Sequence, residues 1–224
     1  MNKRIITLLL VVFIGVLPVN QVLAQDLALY KQIVKELSSE KYQGRGYAKD
    51  GANLAGKYLH NEFEKAGADV VVNQPFTIDI NTFAGEMKLW ADGKELTPGV
   101  DFSMREYSPG VHGEFPLYHV DTLNFDADKM FADLAKPEYA NCLVVVDFWF
   151  AYRHHEAFGR LQKPGECTNA GIVNTWTSPI KFYKAYGHRV VEKPIIWMTP
   201  ESVAGVKSIR VSIDNEFLKD FELF

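Results

Sequence analysis

Several things are scarce in this sequence, and each scarcity excludes something. Only two cysteines, Cys142 and Cys167, occur in 224 residues, so no dense disulfide framework holds the chain together. Lys and Arg number 24 against 28 Asp and Glu, a formal net charge of −4. Clustered positive charge, the footprint of a nucleic-acid surface, is missing, so nucleic acid is excluded as a partner. After an apolar run at residues 5–16 no second long one follows, so the rest of the chain is not expected to be embedded in a membrane. There is no Gly-x-Ser-x-Gly nucleophile elbow. There is also no phosphate loop ending in Lys-Ser or Lys-Thr, and no His-Glu-x-x-His. Internal repeats and low-complexity tracts are lacking as well.

What is present begins with an export signal. Lys3 and Arg4 give a positive start, residues 5–16 carry no charge, and Pro18 breaks the run. Val22, Leu23 and Ala24 then offer the residues a signal peptidase reads, which predicts cleavage between Ala24 and Gln25. A spanning helix needs about 20 apolar residues, and this run is shorter. No cysteine stands at the predicted cut to carry a lipid. The expectation is an exported chain, periplasmic or secreted, soluble after cleavage. About 200 residues remain, enough for one domain with its own core or one domain plus part of another. Their composition, 47% hydrophobic and 23% charged, is that of a globular protein. Export would permit a disulfide between Cys142 and Cys167. The alternative, two separate buried thiols packing as small hydrophobes, is the preferred reading, because spacing in sequence does not give the separation that bridging requires.

Two amphipathic helices open the mature chain. Tyr30, Ile33, Val34 and Leu37 recur at helical spacing over residues 26–37, and Ser38 and Ser39 end that helix. After the loop Tyr42-Gln43-Gly44-Arg45-Gly46-Tyr47, Asp50 is placed to cap a second helix running to about Ala66. Leu54, Ala55, Tyr58, Leu59 and Phe63 share one face of it, and Gly67 sits at the C-terminal cap position. The pattern then turns to strands. Residues 70–72 are one candidate, and Phe76, Ile78 and Ile80 alternate in another. Residues 87–91 and 94–96 flank Asp92-Gly93, a strong hairpin turn. Residues 115–120 form a further candidate, and the almost wholly apolar stretch 142–150 reads as a central buried strand. Residues 155–169 hold the one helix expected in this block, interrupted by Pro164-Gly165, and 170–176, 194–198 and 206–213 complete the strands.

Candidate chemistry is thin. His119-Val120-Asp121 follows a strand candidate, and His-x-Asp is how many two-zinc hydrolases begin a metal site, but three or four convergent ligands are needed. No Glu-Glu pair or matching later acid and His accompanies it. His154-His155-Glu156 places its histidines on different sides of any regular element, which does not suit chelation of one ion. Gly44-Arg45-Gly46 could hold an anion, but it joins two helices, and Arg45 tying neighbouring carbonyls or carboxylates is the better reading. Ser178, in Thr177-Ser178-Pro179, has no assignable partner, and nothing electropositive surrounds Cys167 in sequence to activate its thiol. No catalytic, cofactor-binding or metal-binding residue is assigned.

The order of elements nevertheless resembles a known family. Residues 37–46, Leu-Ser-Ser-Glu-Lys-Tyr-Gln-Gly-Arg-Gly, carry part of the likeness. Asp50-Gly51-Ala52-Asn53-Leu54-Ala55-Gly56-Lys57-Tyr58-Leu59 and Phe63-Glu64-Lys65-Ala66-Gly67 carry the rest. Together they resemble the N-terminal region of secreted two-zinc aminopeptidases, the family of bacterial leucyl aminopeptidases, related to glutamate carboxypeptidase. The following block is similar to the protease-associated domain that many of these enzymes carry as an insert. Phe115-Pro116-Leu117-Tyr118-His119-Val120, residues 141–147 and 169–174, and Lys193-Pro194-Ile195-Ile196 match; Cys142 departs, standing where the family has Lys after Gly. The resemblance implies an α+β fold, a helical pair followed by a β-rich protease-associated-like domain. It implies four segments: a signal at 1–24, a helical segment at 25–68, the β-rich domain at 69–214 and a return toward a catalytic domain at 215–224. In the family the zinc ligands all follow the insert, so none maps onto this chain, and zinc is implied for the full-length family only. The expected function is the non-catalytic front of an exported zinc aminopeptidase-like protein, its partner being the catalytic domain. The alternative is a free-standing protease-associated-type module that binds peptides or a partner protein.

Overall fold

The computed structural model describes residues 26–177 and 189–223. The predicted leader with its cut at Ala24 and Gln25 lies outside the described residues, as does Ser178.

Helix α1 (Leu27–Leu37) starts where the Asp26 carboxylate accepts the amides of Ala28 and Leu29, at 2.9 and 3.1 Å. This satisfies donors that a helix start leaves open. A 3-10 turn over Glu40–Arg45 leads to helix α2 (Gly51–Lys65). Asp50 stands at the N-cap as expected but does not cap with its side chain. Its backbone is left-handed (φ 62°), and its carboxylate accepts instead from Asn53 Nδ2 at 2.8 Å. Gly51 explains the geometry: a Cβ there would lie 2.2 Å from the Tyr42 carbonyl oxygen, so turn and helix meet at a distance only glycine allows. Tyr42 is fully buried in this contact, and its hydroxyl donates to Glu36 Oε1 at 2.8 Å.

The strands follow: β1 (Phe76–Thr82), β2 (Met87–Ala91), β3 (Lys94–Leu96), β4 (Phe102–Met104) and β5 (Val111–His119). Helix α3 (Ala127–Leu134), β6 (Leu143–Asp147), α4 (Phe150–Arg153), α5 (His155–Gln162), β7 (Gly171–Thr175), β8 (Ile195–Met198), α6 (Pro200–Val203), β9 (Ser208–Ile213) and β10 (Glu216–Leu223) complete the chain. The fold is α+β, a helical pair followed by a strand-rich block. Three sequence expectations need correcting. Residues 70–72 form no strand; Val70 and Val72 are exposed and have no ladder to join. The block holds more than one helix, since Asp126, accepting the Lys129 amide at 3.0 Å, nucleates α3. Phe150 begins α4 and does not continue the buried strand.

Eight strands form one sheet in the order β3-β2-β9-β5-β6-β7-β8-β4, while β1 and β10 pair antiparallel as a separate ribbon. Strands β5, β6, β7 and β8 run parallel, and the others are antiparallel to their neighbours. The β2–β3 hairpin turns at Asp92-Gly93, both with positive φ, as a two-residue hairpin loop requires. Strand β6 shows why its sequence is apolar throughout. Leu143 and Val145 enter one core and Val144 and Val146 the other, the two-residue alternation of a strand covered on both faces. The first core gathers one face of all eight strands, from Leu96 on β3 to Phe102 on β4, so the sheet curls over it. The second lies under α3 and α5, which contribute Met130, Leu134, Ala157 and Leu161.

Candidate functional site

The ribbon is fastened to the sheet by two buried or half-buried asparagines. Asn81 on β1 donates through Nδ2 to the carbonyls of Glu106 and Ser108 at 3.0 and 2.7 Å, and its Oδ1 accepts from Asn215 Nδ2 at 2.8 Å. Asn215 Oδ1 in turn accepts the Gly110 amide at 2.6 Å. Ser108, fully buried, both donates to and accepts from the backbone of Ile195. These bonds satisfy polar groups that burial would otherwise leave at a cost, and they fix the ribbon beside the ends of β4 and β8.

Between ribbon, sheet end and the loop before α2 opens the principal cleft, of about 530 Å³. Ile80, Leu218 and Phe221 come from the ribbon, Met87, Met104 and Trp197 from the sheet, and Tyr47 and Lys49 from the loop. Tyr47 reaches across to the Asn81 carbonyl at 3.4 Å. The charged groups in the lining are Lys49, Arg105, Glu106 and Glu216. Arg105 directly follows β4 and its amide donates to the Ile195 carbonyl at 3.0 Å, extending the β4–β8 ladder. Its guanidinium lies over the rings of Tyr107 and Trp197, 5.1 and 4.9 Å from their centroids. Its Nε is buried and has no hydrogen-bond partner among the described residues; the Glu106 carboxylate stands 3.7 Å away, beyond hydrogen-bonding range. An apolar cleft of this size with a few polar groups has the character of a small-ligand site.

The motifs singled out in the sequence do not come together there. His119, at the end of β5, places Nε2 2.9 Å from the Val206 carbonyl. Asp121 accepts the amides of Asn124 and Leu123 at 3.0 and 3.1 Å and Asn124 Nδ2 at 3.1 Å. The bonds from Asn124 above all hold its carboxyl below the usual carboxylate range. Both groups are thus engaged in turn structure. His154 stacks on Phe125 and Phe150, 4.2 and 5.1 Å between centroids, while His155 and Glu156 are exposed at the start of α5. Among the described residues no group of three or more His, Cys, Asp or Glu side chains converges to hold a metal ion. Arg45 donates to the Leu37 carbonyl at 2.5 Å, the structural role expected of it. Cys142 is buried and Cys167 half-buried, both free thiols; burial pushes the Cys142 thiol up to about 12. Beside them the Lys193 ammonium donates to the carbonyls of Leu161 and Cys167 and to Asn169 Oδ1, at 3.1, 2.8 and 2.8 Å. Its pKa is lowered by burial. Sequence reading gave Lys193 no role beyond its place in the matched Lys-Pro-Ile-Ile segment and did not flag Arg105 or Asn81, because each acquires its role from residues tens of positions away.

The helical pair presents a second candidate surface. Helix α1 buries none of its residues, and Tyr30, Val34 and Phe63 are 64%, 46% and 57% exposed. Leu27, Leu29 and Leu59 add to the same exposed apolar set. Among the described residues no helix is long and apolar enough to cross a membrane.

No protein-family model matches the sequence, and no curated protein matches it. Solved structures are similar to it. The aminopeptidase from Aneurinibacillus sp. strain AM-1 superposes with a TM-score of 0.50 at 16% identity, covering 87% of this chain and 45% of that one. A peptidase M28 precursor from Shewanella amazonensis SB2B gives 0.49 at 13% identity, covering 88% of this chain and 52% of its own. This chain thus spans about half the length of the structures it resembles.

Proposed function

We propose that this chain is the non-catalytic N-terminal portion of an exported, zinc aminopeptidase-like protein. In this reading the leader ahead of Gln25 is removed on export. Residues 25–68 and the β1–β10 ribbon belong to the peptidase fold, and the eight-stranded block is a protease-associated-type insert. The observation that carries it is the uncovered apolar face of α1 and α2. Large apolar side chains gain roughly 1.5–3 kcal/mol each on burial, and a surface of this kind marks a docking site. The fold likeness to about half of an aminopeptidase supports a catalytic domain as the covering partner. Zinc and the peptide-cleaving groups would then belong to that partner.

The test is amide exchange on the purified protein, alone and with the catalytic portion supplied by its source genome. Alone, residues 26–67 exchange fast, residues 143–146 exchange slowly, and a chromogenic leucyl substrate is not cleaved. With the catalytic portion present, exchange in the helices slows and cleavage appears. Slow exchange in both regions of the isolated monomer would overturn the reading. That result would favour a self-sufficient binding module, which the two internal cores of the strand-rich block make the second reading.

A further inference from the structure

We infer that the cleft between ribbon and sheet binds a short peptide by its free C-terminal carboxylate, with an apolar last side chain. This does not rest on the peptidase reading, because every residue of the cleft belongs to this chain.

Arg105 carries the recognition. Two aromatic rings hold its guanidinium in place, so little freedom is lost when it takes a ligand, and a planar guanidinium is matched to a carboxylate fork. Its Nε is buried out of a ligand's reach, but the side chain keeps 30% of its surface exposed and lines the cleft, so the terminal N–H groups of the guanidinium are the donors left for a ligand carboxylate. The Glu106 carboxylate, 3.7 Å from Nε, attracts the guanidinium without accepting a hydrogen bond from Nε. Around Arg105 the walls are apolar: Met104 and Trp197 from the sheet, Leu218 and Phe221 from the ribbon. They suit an aliphatic or aromatic side chain. Lys49 adds a second positive charge, while Glu106 and Glu216 cancel the excess.

The probes are N-acetyl-leucyl-phenylalanine as free acid and as C-terminal amide. They are titrated into the purified protein by calorimetry and by tryptophan emission, to which Trp197 contributes. The free acid should bind saturably, and the amide about tenfold more weakly, the usual scale for one charge-assisted contact. Arg105→Gln should bring the acid down to the level of the amide. Glu216→Gln, at an exposed position, should strengthen the acid and leave the amide unchanged; it tests the site without touching the stacked arginine. Equal binding of acid and amide would overturn the inference. So would an Arg105→Gln protein, folded by circular dichroism, that keeps the preference, or no saturable binding of the acid up to about 5 mM. None of these outcomes bears on helix exchange or leucyl-substrate cleavage, so this inference and the proposed function can fail separately.

Discussion

The chain uses amphipathic helices in two places, with opposite results. In the strand-rich block, α3 and α5 turn Met130, Leu134, Ala157 and Leu161 into a core against β6, β7 and β8, and all four are buried. In the opening pair, α1 buries nothing and α2 buries only Gly51 and Ala55. The sequence periodicity is of the same kind in both, so amphipathicity alone does not decide whether a face is covered. The sheet decides it. Beneath α3 and α5 lie parallel strands apolar on both faces; beside α1 lies the turn holding Tyr42, bonded to Glu36. The lesson is that the block covers its own apolar faces, whereas the helical pair leaves most of its apolar side chains exposed.

Substitutions should separate the two regions most strongly. Leu161→Ala, at a fully buried position, should lower unfolding stability by about 2–5 kcal/mol. Phe63→Ala, at a mostly exposed one, should stay within about 0.5 kcal/mol. Thermal or urea unfolding of both variants checks this, and comparable losses would dissolve the contrast. A smaller effect is expected of Val34→Lys combined with Phe63→Lys. The isolated protein should become less prone to self-association by light scattering at unchanged melting temperature, because the charges enter a solvent-facing patch. A fall in melting temperature would mean the patch is covered after all.

Alkaline pH sharpens the comparison from the side of the block. Burial raises the Cys142 thiol from 9.0 to about 12 and the Tyr118 phenol from 10.0 to about 12, with the neighbouring Asp133 adding to the latter. Both groups ionise first in the unfolded chain, so the unfolded state gains as protons leave it. Stability present below pH 9 should therefore be lost progressively from there toward about 12. Tyr118→Phe keeps the edge-on packing against Tyr139 and should flatten the upper part of that loss. An identical pH profile for the variant would remove Tyr118 from the account. The smallest effect is expected of Arg45→Ala, which deletes one exposed bond to the Leu37 carbonyl. It should cost no more than about 1 kcal/mol and leave exchange in the strand block unchanged.

Much of this was legible from local sequence. The Asp92-Gly93 hairpin, α1 with Asp26 at its head, and the buried β6 follow from rules that act over a few residues. Where the structure departs, a longer-range effect prevails. Val70 and Val72 have strand-forming side chains but no partner edge, and Asp50 takes a left-handed backbone because Gly51 must approach Tyr42. The parallel arrangement of β5 to β8 leaves no local mark. The cleft was not legible, because its lining runs from Tyr47 to Phe221 and no short motif spans that distance.

The ribbon has a consequence for how such a chain could arise or be re-engineered. Thr82 pairs with Glu216 and Asn81 with Phe217, so the polypeptide leaves the ribbon and returns to it at adjacent points, with the whole eight-stranded block as the excursion between them. Strands β1 and β10 are already in antiparallel register. Removing residues 84–214 and bridging the gap with a two-residue Asn-Gly turn would leave an ordinary hairpin. The block is in that sense a single excursion between two paired strands, tied back to them by the bonds of Asn81 to Glu106 and Ser108.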